Sequence, residues 1–146
     1  MAQLKHKDLR TDLPDAVRNI RVAQNCNVLH FLHSLLRSPA KDNGPVATYL
    51  VTYEDGATES IPVQNGREIG HIYRSDGKLP PAPMVTGWMG ETTYTRWRGA
   101  KDHKTITVCL YKMTWHNPHP EKIVKSLDFL STDPDAAPVL FAITAE

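Results

Sequence analysis

Val46-Ala47-Thr48-Tyr49-Leu50-Val51-Thr52-Tyr53, followed by Glu54-Asp55-Gly56-Ala57 and then Thr58-Glu59-Ser60-Ile61-Pro62-Val63, is the stretch on which the fold turns. Both flanks are rich in β-branched and aromatic side chains, which suit a pleated, half-buried surface. Asp-Gly between two such runs is a strong hairpin signal, and the expected link is a two-residue type I′ turn with positive φ at both central positions. Pro62 has no N–H to give to a ladder, so its strand is expected at an edge or a bulge.

Three further strands lie downstream. Residues 105–111 alternate, with Ile106, Val108 and Leu110 on one side; residues 123–130 place Ile123, Leu127 and Phe129 together; residues 139–144 group Val139, Phe141 and Ile143. Upstream, residues 28–36 read two ways. Val28, Leu29, Leu32, Leu35 and Leu36 fit a helical stripe, whereas a strand buried on both faces would set Leu29, Phe31, His33 and Leu35 against His30, Leu32, Ser34 and Leu36. The local pattern leaves both open. The stretches 78–83 and 117–120 are turn-rich, and no repeat of fixed period is present. Short strands punctuated by eleven Pro and eight Gly, without a long capped helix, give an all-β class: an antiparallel β-sandwich or jelly roll. Residues 1–12 are polar and are expected to form a flexible arm, ahead of a single domain over residues 13–146.

Composition removes several classes of function. The 146 residues are 40% apolar, with no unbroken apolar stretch near the roughly 18 needed for a membrane span. Seventeen Lys and Arg against sixteen Asp and Glu leave a formal charge of +1 and no basic tract, so no nucleic-acid partner is indicated. Cys26 and Cys109 make neither a disulfide framework nor a zinc motif; they form one bridge or stay as two buried thiols, and the second reading is preferred because free Cys is among the most buried residue types. Residues 1–7 lack the apolar core of a secretory signal, which leaves a cytoplasmic location, or an extracellular or cell-surface one if a leader has been removed.

Several segments together carry a resemblance. They are Leu29-His30-Phe31-Leu32-His33, the hairpin with Ile61-Pro62-Val63, Trp97-Arg98-Gly99, the run from Leu110 through Trp115-His116-Asn117-Pro118-His119-Pro120, and Ser126 to Thr132 with Ala137 to Thr144. Over about residues 13–145 the chain resembles bacterial β-sandwich accessory modules with a galactose-binding-domain-like jelly roll, which occur in larger secreted or surface proteins, including carbohydrate-active ones. The resemblance implies a strand over residues 28–36. It also implies further strands before residue 13, so that their absence would expose a sheet edge able to support a homodimer or docking within a parent multidomain protein.

The aromatic set is the leading candidate for binding. A sugar ring packs its C–H face on an aromatic ring while its hydroxyls take fixed donors and acceptors. Trp97 and Trp88 are the expected platforms; Arg98, His71, Tyr73, Arg74 and Asn117 are the expected polar and aromatic partners, with Asp76 and Tyr94 near by in sequence. Each tryptophan has the alternative of filling the core, preferred for Trp115. Seven histidines raise a metal site, but His30 and His33 are three apart and point to opposite faces of a strand, while His116 and His119 lack a full ligand set. Asp42, Asn43, Asp128 and Asp133 are oxygen donors for a structural calcium. No Gly-x-Ser-x-Gly, phosphate loop or His-Glu-x-x-His is present. The expected function is therefore a non-catalytic module binding an oligo- or polysaccharide, without a required cofactor. A structural or assembly domain, and a small metal-dependent enzyme using loop histidines, are the alternatives.

Overall fold

The structure, a computed structural model, describes residues 1–5, 7, 13–39, 44–74, 77–95 and 103–146. Among these residues ten strands are present: β1 (Ala2–Gln3), β2 (Ala16–Gln24), β3 (Val28–Arg37), β4 (Pro45–Tyr53), β5 (Thr58–Gln64), β6 (Tyr73–Arg74), β7 (Thr86–Thr95), β8 (His103–His116), β9 (Val124–Ser131) and β10 (Ala137–Ala145). They form two antiparallel sheets packed as a sandwich. The larger runs β1-β10-β3-β8, with β6 and β7 both on β8; the smaller runs β2-β9-β4-β5. No helix occurs among the described residues.

The core forms where β3 faces β4 and β9. Phe31 stacks on Tyr49 with ring centroids 4.2 Å apart, and Tyr49 stacks on Phe129 at 4.9 Å. Leu29, Leu35, Val51, Tyr53 and Leu127 close around this column, all at 0% exposure. Aromatic pairs add about 0.5–1.5 kcal/mol each beyond the area they bury. That burial settles residues 28–36: Leu29, Phe31, His33 and Leu35 all enter the core, which a two-residue period delivers and a helical one does not.

Among the described residues, His33 is the one imidazole that is fully buried. Its Nε2–H donates to the Glu68 carbonyl at 3.0 Å, and its Nδ1 accepts the Tyr49 hydroxyl at 3.0 Å. A carbonyl can only accept, so this pair of bonds fixes the neutral tautomer. Burial pushes the pKa down to about 4, against the opposing pull of the Glu68 carbonyl.

The central hairpin forms in the expected place, between β4 and β5, but its turn differs. Tyr53 N–H donates to Ala57 O at 2.9 Å and Gly56 N–H to Tyr53 O at 3.1 Å, so three residues, Glu54, Asp55 and Gly56, form the loop. Only Gly56 has positive φ, +87°. This is a type I turn closed by a glycine bulge, which asks left-handed backbone of one residue instead of two. Asp55 Oδ1 accepts Ala57 N–H at 2.9 Å, and Lys122 Nζ lies 2.7 Å from its other oxygen; both lower its pKa, Lys122 first. Pro62 sits on β5, the edge strand of the smaller sheet.

Three expectations need correction. The first concerns the arm over residues 1–12, of which residues 6 and 8–12 lie outside the described residues: Ala2 and Gln3 pair with Leu140 and Val139, and Leu4 is completely buried with its N–H on Pro138 O. One apolar side chain in a polar stretch gives no periodicity to read, yet it is enough to anchor the segment. The second concerns β10, where a register shift between Leu140 and Ala142 changes the phase. Val139 opposes Ser34 while Ile143 opposes Phe31, so Val139 and Ile143 lie on different faces. The third concerns length: β8 runs on to His116, and β1, β2, β6 and β7 were not anticipated as strands. Both cysteines are buried free thiols, so no bridge joins Cys26 to Cys109.

Candidate functional site

The site is built on β8. Its residues Cys109, Tyr111 and Met113 are buried toward the smaller sheet, and alternation sends Ile106, Val108 and Leu110 to the opposite, outer face, where they stay only half-buried. The apolar side of this strand is thus not the core side. The strands beside this outer face supply the exposed aromatic side chains Tyr73 and Trp88.

Beyond the His33–Tyr111 pair, β3 and β8 separate and the chain around residues 70–74 enters between them. Leu35 N–H donates to Gly70 O (2.9 Å), Ile72 N–H to Leu35 O (2.8 Å) and Cys109 N–H to Ile72 O (2.8 Å). Ser34 Oγ lies 3.0 Å from Cys109 O and 3.2 Å from Gly70 O, bridging the two sides of the wedge. Ile72 is buried, so His71 and Tyr73 take the outer face. Tyr73 opposes Val108, and Val108 opposes Gly90 of β7 across the strand. Gly90 is where Trp88 lies down: a Cβ there would come within 2.4 Å of the indole. Tyr73 and the Trp88 indole therefore flank Val108, at 45% and 51% exposure.

Beside them His71, Tyr73, Thr92 and Ile106 line a cleft of about 570 Å³. The His71 and Tyr73 rings are 5.9 Å apart, tilted by 52°. His71 Nδ1 lies 3.0 Å from both the amide N and the carbonyl O of Tyr73, which ties the ring to the backbone of that residue. The cleft thus offers an imidazole, the Thr92 hydroxyl, an aromatic ring and the Ile106 side chain, with no carboxylate or ammonium among its described lining residues.

The other sequence candidates are placed differently. Trp97 and Arg98 lie outside the described residues, as do Asp76, Asp42 and Asn43. Arg74 follows Tyr73 and takes the opposite face, where its Nε–H donates to Lys78 O at 3.1 Å. Asn117 is 7% exposed and its amide is fully engaged inside the protein. Oδ1 accepts Tyr53 Oη–H (2.6 Å) and His119 N–H (3.0 Å), while Nδ2 donates to Cys26 O (2.8 Å) and His119 O (3.2 Å). It ties the loop after β8 to the core and has nothing left for a ligand. Burial, with Glu59 next, pushes the Tyr53 phenol up to about 12, and burial raises the Cys26 thiol. Trp115 is half-buried against the core.

The metal candidates disperse. His30 Nδ1 is 2.9 Å from Thr114 Oγ1 on the outer face, opposite in direction to His33. His119 sits between Glu59 and Glu121, at 3.5 and 3.7 Å. Asp128 accepts from Arg18 Nη1 (3.0 Å) and Asn19 N–H (2.8 Å), and Asp133 Oδ1 from Asp135 N–H (2.8 Å). No group of three His, Cys, Asp or Glu able to hold an ion occurs among the described residues.

Thr92 and Ile106 are the site residues that sequence reasoning missed. The available signal was the alternation at Ile106, Val108 and Leu110, which marks an apolar face without saying which way it points. No family model matches the chain, and no curated protein or solved structure does either.

Proposed function

We propose that this chain is a non-catalytic ligand-binding module whose ligand is a carbohydrate, held on the outer face of the larger sheet. One observation carries the reading: Trp88 and Tyr73 stand half-exposed on either side of Val108, on the face turned away from the core. Large aromatic side chains left in water beside an apolar strip are what a sugar's C–H face packs against. His71 and Thr92 supply hydrogen-bonding groups for hydroxyls in the adjoining cleft. The described lining residues carry no carboxylate or ammonium, which suits a neutral ligand.

The experiment is a thermal-shift screen against neutral oligosaccharides, followed by calorimetric titration of any sugar that responds. A ligand binding only the folded state stabilises by about 2.7 kcal/mol at a hundredfold excess over Kd. Trp88→Ala should weaken binding by about tenfold or more, as for a central aromatic anchor, with the melting temperature of the free protein nearly unchanged. Tyr73→Ala should act in the same direction, and Trp97→Ala tests the remaining tryptophan candidate. Unaltered affinity in Trp88→Ala, or no response to any sugar in the panel, would overturn the reading.

A further inference from the structure

The long strands at the lateral edges of the two sheets differ in how they are guarded. β5 carries Pro62. β2 has two register shifts, with Asn19 and Ala23 in left-handed backbone at φ 58° and 56°. β10 is covered by β1 at Val139 and Leu140 and is bulged immediately after. Proline, bulges and covering segments are the usual means of keeping an edge from pairing with another chain. Among the described residues, β7 has none of them beyond the register shift at its first residues, between Thr86 and Trp88. It runs for ten residues without Pro, Lys or Arg, has one charge, Glu91, and pairs only with β8 among the described strands. Trp88 is exposed on its outer face and Met89, at 39%, on the other.

We infer that β7 is a self-association edge: two copies of this chain pair their β7 strands antiparallel about a twofold axis and join their larger sheets into one. The register follows from parity and charge. An axis perpendicular to the sheet keeps every side chain on its own face, so a residue opposes one of the same parity and the axis passes through a residue position. Overlap of the ten-residue strand is greatest with the axis at Gly90 or at Glu91. At Glu91 the two carboxylates would stand directly opposite each other, which is unfavourable. At Gly90, Met89 opposes Glu91 of the second copy and Trp88 opposes its Thr92. The absent side chain of Gly90 already accommodates one indole, so the two Trp88 rings meet across the axis above the paired glycines. This joins two aromatic platforms on one outer face, but the pairing itself runs through the main chain and does not depend on what the platform binds.

Sedimentation velocity over micromolar to submillimolar concentration tests it, with saccharide binding read separately by calorimetry. The wild type should show a monomer–dimer equilibrium. Met89→Glu faces Glu91 of the second copy twice in each dimer and should raise the dissociation constant by about tenfold. Met89→Lys should lower it, and adding Glu91→Lys to Met89→Glu should restore the dimer. Circular dichroism melts establish that each variant is folded; the opposite charges at one position separate association from a general effect of losing Met89. A wild type that stays monomeric throughout, a dimer unaffected by Met89→Glu, or a double variant that fails to restore it would each overturn the inference.

Discussion

Acid should weaken this fold through His33, because the neutral imidazole is built into the core. The ring is 0% exposed, its nitrogens are bonded to the Glu68 carbonyl and the Tyr49 hydroxyl, and burial opposes the charged form. Protonating Nδ1 would put a donor where the Tyr49 hydroxyl now donates. The folded pKa is about 4, against 6.5 for the free side chain. Since the folded value is depressed, the unfolded chain takes up the proton first. The stabilisation is thus complete above pH 6.5 and is lost as the pH falls toward 4. At about 1.4 kcal/mol per pKa unit, the window spans about 3 kcal/mol, a large fraction of the 5–15 kcal/mol typical of a domain. Urea unfolding at a series of pH values from neutral to 4, on the wild type and on His33→Gln, measures it. Glutamine keeps one donor and one acceptor but does not titrate. The wild type should lose about 3 kcal/mol relative to the variant across the window, whatever the variant costs at neutral pH. Parallel curves would refute the reasoning, as would a His33 ring resonance that titrates near pH 6.5.

Asn117→Ala should destabilise by about 2–4 kcal/mol in chemical denaturation, since it strands the Tyr53 hydroxyl and the Cys26 carbonyl in a buried setting. Leu4→Ala should cost about 2–5 kcal/mol by the same measurement, an effect foreign to a loose terminus. Ala23→Gly should stabilise by about 1 kcal/mol, seen as a raised melting temperature, because Ala23 holds φ at 56° where a Cβ is penalised.

Much of the architecture can be read from local pattern. The β-branched runs on either side of Asp55-Gly56 specify a hairpin because strand preference and turn chemistry agree there. Once residues 28–36 are a strand, the spacing of His30 and His33 sends them to two faces, and the structure keeps them apart. Other elements leave weaker traces. β2, with sequence Ala-Val-Arg-Asn-Ile-Arg-Val-Ala-Gln, mixes its apolar and polar positions because two register shifts break the alternation. β7 is mostly Thr and Gly, and none of its described side chains is fully buried to impose a pattern. In β10 a shift after Leu140 hides that Val139 and Ile143 point opposite ways.

By itself the sequence determined the all-β class and the central hairpin, and it limited Pro62 to an edge or a bulge. Each follows from a two-residue period or from the backbone limits of single residues, and these act over short distances. Only the tertiary structure decided which side of an alternating strand is inside. Ile106, Val108 and Leu110 look like a core face in isolation, and Asn117 looks like a loop residue free to bind. The packing of Cys109, Tyr111 and Met113 toward the smaller sheet turns the first set outward. The closure of the amide of Asn117 on Tyr53, Cys26 and His119 takes it out of reach. Such outcomes depend on partners tens of residues away in the chain, and burial is a property of the assembled sheets, not of any one strand.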